Sequence, residues 1–184
     1  MRNRSHANAN RYISIIKTEQ STWTKDTGIT AYTSNPRVIE SKVTDATPNT
    51  KKTGVVYTQL DGVWQVTQKN EYQGDTATIY RQTQIIYTSY PTQRILGLPV
   101  QTSVYDGPGT TLLARTSISY DETGTFTDAN NSTWNYLSAT SGATQHDDTN
   151  YGGGFTQRAN PTSVTQSSVV SGAVTATRVT ARTS

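Results

Sequence analysis

The sequence has no cysteine among its 184 residues, which excludes disulfides, thiol nucleophiles and zinc–thiolate centres. No apolar run approaches the ~18 residues that a membrane-spanning helix needs. The amino terminus, Met1-Arg2-Asn3-Arg4-Ser5-His6-Ala7, is basic, but no apolar segment follows it, so the pattern of a secretory signal peptide is missing. Good helix formers are scarce: one Met, four Glu and six Lys. The two histidines, His6 and His146, leave little material for a catalytic triad, and no Gly-x-Ser-x-Gly elbow occurs. Gly152-Gly153-Gly154 is not followed by Lys-Ser/Thr and is not a phosphate loop. The net charge is only +3, and Lys51-Lys52 is the one adjacent basic pair. Nucleic-acid binders cluster their basic residues, and these are scattered.

Hydroxyls carry the polarity instead. The chain holds 35 Thr and 17 Ser against 9 Asp and 4 Glu. Threonine is β-branched and suits a pleated, half-buried surface. Eleven Tyr and three Trp reinforce that bias through cross-strand ring contacts. A disordered chain of similar polarity would lack these residues. The expected fold class is therefore all-β, built of antiparallel hairpins in a curved or spiral sheet. The modest apolar content predicts a thin core, or a surface completed by neighbouring sheet.

Turn signals divide the chain. Residues 1–10 read as a polar tail, Arg11–Lys17 as a strand, and Ser21–Thr33 as a longer polar strand around Trp23. Thr44–Gly54 reads as a loop, with Pro48, Asn49 and the lysine pair. Asp61-Gly62 between two β runs predicts a two-residue type I′ hairpin. Further turns are expected at Gly74-Asp75, at Asp106–Gly109, at Asp121–Gly124 and at Ser171-Gly172. Pro91 breaks a strand, and Pro99 points to an edge, a bend or a strand start. Asp128–Gly154 is loop-rich. The last strand runs to Arg182-Thr183-Ser184 with no closing turn, the pattern expected of a slice of a larger sheet. Three regions result: the tail 1–10, a hairpin region 11–90 and a second β region 91–184.

Two segments overlay. Gln101–Gly109 ends its strand in Tyr105-Asp106 and closes at Gly109; Ser117–Gly124 ends in Tyr120-Asp121 and closes at Gly124. Tyrosine offers an apolar ring with a polar tip, aspartate can bond nearby backbone, and glycine takes the left-handed position. Turn capping explains Asp106 and Asp121 better than catalysis does. A weaker third copy is Gln68–Gly74.

Together with Leu96-Gly97-Leu98-Pro99, His146-Asp147-Asp148 and Arg158–Val164, these units resemble the YD-repeat of Rhs proteins. The resemblance is best over residues 85–182. It implies a β-ribbon that spirals into a hollow shell. Only two Tyr-Asp units are present, the Gly-Arg-Leu that often follows them is missing, and Ala159 stands where such loops often carry Gly. No self-cleavage core or toxin domain is recognisable. The resemblance therefore implies a structural, encapsulating role without catalysis or cofactor. The expected partners are the rest of a larger Rhs-like chain, or further copies meeting through β-edges.

Two other readings come from the residues themselves. Trp23, Trp64 and Trp134 could form a sugar-stacking platform in a glycan- or partner-binding β-sandwich or adhesin, although cross-strand packing on a thin sheet is the favoured explanation of the rings. A self-assembling surface-fibre subunit would use open sheet edges. His146-Asp147-Asp148 is the one compact cluster with metal-ligating side chains, and a polar loop accounts for it as well. The composition fits an extracellular or cell-surface protein. The sequons at Asn130-Asn131-Ser132-Thr133 and Asn3 matter only in a glycosylating host.

Overall fold

A computed structural model describes residues 17–28, 34–45, 49–127, 131–136 and 156–182. Among them there is no α-helix. Nine strands form one antiparallel sheet: β1 (Lys17–Thr24), β2 (Arg37–Asp45), β3 (Thr50–Leu60), β4 (Val63–Tyr72), β5 (Ile79–Tyr90), β6 (Ile95–Asp106), β7 (Thr111–Tyr120), β10 (Pro161–Val170) and β11 (Ala173–Arg182). They lie side by side in chain order. β8 (Thr125–Thr127) and β9 (Thr133–Asn135) make a separate two-stranded hairpin between β7 and β10. Among the described residues the sheet is open, with β1 and β11 as its outermost strands. Pairing of β5 with β6 carries it without a break across residues 90 and 91. The Arg11–Ile16 strand and the 1–10 tail lie outside the described residues.

The turns follow local chemistry. Asp61 and Gly62 both adopt positive φ, 50° and 80°, and join β3 to β4 in two residues. Ser171 and Gly172 do the same for β10 and β11, at 50° and 80°. Pro91 opens a single 3-10 turn, Pro91–Gln93, that separates β5 from β6. Pro161 starts β10. Pro99 sits within a central strand, opposite Tyr87 at a bulge, one of the few sheet positions that tolerate a missing N–H. The segment read as a loop over Thr44–Gly54 differs: strand covers Thr44–Asp45 and Thr50–Gly54. Lys51 and Lys52 pair with Val43 and Lys42, and Lys52 lies over the Tyr72 ring at 4.5 Å. Long amphipathic lysines are compatible with a strand whose faces are wet.

No second layer packs on the sheet among the described residues; the strands touch chiefly their sheet neighbours, and β4 also approaches β6. Leu112 is the one buried hydrophobic side chain among them. The other buried side chains are polar: Asn70, Gln82, Ser103, Thr162 and Ser163. Register places three of these on one face, because cross-strand partners share a side. Asn70 pairs with Gln82 and Gln82 with Tyr105, while Gln84 pairs with Ser103 and Ser103 with Arg115. Their side chains join two hydrogen-bonded groups, one running from Gln68 to Gln84 and one centred on Ser103. Asn70 Oδ1 accepts from Gln68 Nε2 at 2.9 Å and from Gln82 Nε2 at 3.1 Å. Gln82 Oε1 accepts from Gln84 Nε2 at 2.6 Å, and Ser103 Oγ from Gln101 Nε2 and Arg115 Nε, both at 3.3 Å. Hydrogen bonding thus fills the place that aliphatic packing takes in a layered fold.

A second regularity repeats every two strands. Trp23 pairs with Val38, Tyr57 with Val66, Tyr87 with Pro99 and Tyr120 with Pro161. In each case the register shifts beside the ring, leaving Ile39, Thr67, Val100 and Thr162 as the extra residue of a bulge. Each tyrosine hydroxyl then donates to the carbonyl of the residue that faces the preceding ring, next to the bulge: Tyr57 to Val38 at 3.1 Å, Tyr87 to Val66 at 2.8 Å and Tyr120 to Pro99 at 3.0 Å. Trp23 stands on β1, the first strand among the described residues.

Candidate functional site

Three places combine defined geometry with polar chemistry. The first is the junction that joins β7 to β10. Asp121 takes a left-handed φ of 52°, which short polar residues tolerate. Its carboxylate accepts three successive backbone N–H groups, from Arg158 at 2.9 Å, Ala159 at 2.8 Å and Asn160 at 3.0 Å. Its own N–H donates to the Asn160 carbonyl at 2.9 Å. Glu122 Oε2 accepts from Thr162 Oγ1 at 2.9 Å and Ser163 Oγ at 2.6 Å. Two consecutive acidic residues thereby fasten the segment that enters β10. Gly124, at φ 87°, starts the β8–β9 hairpin, where its carbonyl accepts from Tyr136 at 3.0 Å.

The other Tyr-Asp unit is built differently. Asp106 Oδ1 accepts from the Thr111 N–H at 2.9 Å and so closes its own turn. Gly107 N–H donates to Tyr80 at 3.0 Å, which folds the turn back toward β5. Gly109 has φ 85°, and a β-carbon there would lie 2.6 Å from Gln82 Oε1, so both conformation and space demand glycine. Tyr105 belongs to the even strand β6 and pairs with Leu112, whereas Tyr120 belongs to the hydroxyl relay of the odd strands. The sequence overlay of the two units therefore joins positions with different structural roles. The relay itself escaped sequence reading. Its signal was a set of tyrosines, Tyr57, Tyr87 and Tyr120, about 30 residues apart.

The second place is a cavity of about 610 Å³ beside β2, β3 and β4, lined in part by Arg37, Tyr57, Trp64, Asn70 and Tyr72. The Arg37 guanidinium stacks over Trp64 at 3.9 Å and stands 5.9 Å from the Tyr57 ring. It also pairs with Asp26 at 2.8 Å. Asp26 accepts from Asn35 Nδ2 at 2.8 Å and from the Trp64 indole N–H at 3.3 Å. The Asn35 hydrogen bond, with further help from Arg37 and Trp64, holds the Asp26 carboxyl below the usual carboxylate range. A face of Trp64 is thus occupied by arginine.

The other two tryptophans are presented outward. Trp23 is 61% exposed on edge strand β1, and Trp134 is 50% exposed in the separate β8–β9 hairpin. The structure places them in different sheets.

The third place is the pair of edges. Every described side chain of β11 is exposed, and β1 is exposed over all but its last residue. Among the described residues no group of three or more His, Asp or Glu could hold a metal ion, and no helix is long and apolar enough to cross a membrane. His146-Asp147-Asp148 lies outside the described residues. No family model matches the chain, and no curated protein or solved structure matches it.

Proposed function

We propose that the chain is a non-catalytic structural β-scaffold, a wall segment similar in role to the shell of Rhs/YD-repeat proteins, placed outside the cell or at its surface. One observation carries this reading: a nine-stranded sheet with a single layer, both edges open and one buried aliphatic side chain among the described residues. A sheet of this kind serves by covering area and by joining further sheet. Its cohesion comes from backbone ladders, amide hydrogen bonds and the tyrosine relay, all of which extend sideways. Size-exclusion chromatography with light scattering, then negative-stain microscopy of each peak, tests it. Ordered sheets, fibres or closed particles support the scaffold. A monomer at all concentrations, with cooperative unfolding and no binding of an apolar-surface dye, overturns it.

A second reading has its own observation. Trp23 and Trp134 present half or more of their surface to solvent, and a ring face so presented can stack on a sugar. Glycan-array binding lost in Trp23→Ala or Trp134→Ala would favour a binding module; no binding at any glycan would remove it.

A further inference from the structure

We propose that the cavity beside β2, β3 and β4 is a binding site for a neutral, hydroxyl-rich ligand of the sugar class, separate from the exposed tryptophans and independent of whether the sheet assembles. Register sets one row of residues across five strands: Thr22 on β1, Glu40 on β2, Gly54 on β3, Asn70 on β4 and Gln82 on β5. Directly opposed residues share a face. From Asn70 to Gln82 the row is closed by a hydrogen bond, 3.1 Å from Gln82 Nε2 to Asn70 Oδ1. Between Glu40 and Asn70 stands Gly54, which has no side chain, so the row is interrupted across two interstrand spacings, about 10 Å in all. The cavity of about 610 Å³ lies at this interruption, and Thr22, Glu40, Gly54 and Asn70 all line it. Small-ligand sites measure roughly 300–1,000 Å³. Toward Arg37 the ladder between β2 and β3 ends at the Glu40–Gly54 pair, so no strand pairing closes the cavity on that side.

The groups around the gap select the ligand. Asn70 is only 7% exposed, and its Oδ1 already accepts from Gln68 and Gln82. Its Nδ2 has no acceptor among the described residues, and a buried amide donor is costly to leave unpaired. Across the gap, no hydrogen bond or ion pair among the described residues engages the Glu40 carboxylate. A hydroxyl serves both sides, because it donates to a carboxylate and accepts from an amide. An ammonium offers Asn70 no acceptor, and Glu40 repels a carboxylate or a phosphate. Arg37 is the other charged residue that lines the cavity. Its guanidinium is engaged, paired with Asp26 at 2.8 Å and stacked on Trp64 at 3.9 Å.

Tyr72 completes the wall. A β-carbon at Gly54 would lie 2.9 Å from Tyr72 Oη and 3.1 Å from its Cε2. Gly54 is not among the residues of positive φ, so its backbone conformation is open to any residue, and only the space beside the ring demands glycine. Lys52 lies over the same ring at 4.5 Å and holds it against β3. An aromatic wall beside convergent hydrogen-bonding groups suits a pyranose, which carries C–H groups on its faces and hydroxyls on its rim.

Saturation-transfer NMR on the full chain tests the site, with glucose, galactose, mannose, N-acetylglucosamine and their disaccharides as probes at millimolar concentration. At least one of these sugars should bind. Glu40→Gln trades a charge-assisted hydrogen bond for a neutral one and should raise Kd about tenfold or more. Gly54→Ala puts a methyl group into the gap and against Tyr72, and should abolish binding. Trp23→Ala and Trp134→Ala should bind as the native chain does, and circular dichroism should show the native spectrum for every variant. Sugars that bind equally to the native chain, Glu40→Gln and Gly54→Ala would overturn the site. Loss of binding confined to Trp23→Ala or Trp134→Ala would overturn it too, and would put the sugar on the exposed rings. So would binding of tetramethylammonium or inorganic phosphate without any sugar, or no binding of any probe. Each of these results leaves the assembly test of the scaffold untouched.

Discussion

Replacing Asp121 by alanine should release the strand pair β10–β11 from the sheet. In the native chain this carboxylate accepts three backbone N–H groups, two of them part-buried and one exposed. Charge-assisted hydrogen bonds contribute about 1.5–3 kcal/mol each when shielded and less when wet. Discounting for exposure, the three together amount to about 2–4 kcal/mol. Alanine also adopts the left-handed backbone of this position less readily than aspartate, adding about 1 kcal/mol. Asp121→Asn separates the two effects, since it keeps the conformation and one acceptor oxygen, and should cost about 1–2 kcal/mol. The readout is amide hydrogen exchange at Arg158, Ala159 and Asn160. A loss of 2 kcal/mol corresponds to roughly 30-fold faster opening there. Amides in β4 and β5 should be unaffected, because the coupling passes through strands one neighbour at a time. Exchange at 158–160 unchanged within about threefold in Asp121→Ala would refute the assignment of Asp121 as the clamp.

Tyr87→Phe or Tyr120→Phe keeps the ring and leaves the Val66 or Pro99 carbonyl without its tyrosine donor, at a cost of about 1 kcal/mol in urea titration. Burial raises both hydroxyls above the usual tyrosine value, so their contribution is full below the unfolded pKa of about 10 and is lost as pH rises through the higher folded value; tyrosinate absorbance should appear together with unfolding. Gly109→Ala should cost about 1–3 kcal/mol because strain and the Gln82 contact add, whereas Gly62→Ala, with the same positive φ but open space, should cost less. Asp26 is depressed chiefly by the Asn35 hydrogen bond, so its contribution is present above the unfolded carboxylate pKa and fades as pH falls through the lower folded value; Trp64 emission, read in a Trp23→Phe/Trp134→Phe background, should change in that acid window and not in Asp26→Asn.

Much of the fold could be read from short-range chemistry. The paired φ requirements of Asp61-Gly62 and Ser171-Gly172 announce their hairpins, and Thr, Val and Tyr enrichment announces strands. The thin core was legible too, from the few aliphatic residues. Other features lay beyond local pattern. Lys51-Lys52 and Asn49 resemble a loop, yet pairing with β2 and β4 carries strand through the lysines. Asp121 is a plausible turn residue, but its real partners stand 37 to 39 positions away across a separate hairpin. Trp64 looks like an available ring until Arg37, distant in sequence, is found on its face. The hydroxyl relay depends on bulges, and a bulge shifts the register in a way no alternation pattern reveals.

The relay has a consequence for how such a protein can change length. Each tyrosine hydroxyl bonds a carbonyl 19 or 21 residues back, so one strand pair interlocks only with the pair before it. Stability then accumulates as in a one-dimensional chain of units with nearest-neighbour coupling. Duplicating or deleting a strand pair in the middle would leave every remaining junction intact, as with links in a watch strap. Growth or shrinkage in steps of two strands also keeps the odd parity of the sheet, and with it the shared direction of its first and last strands.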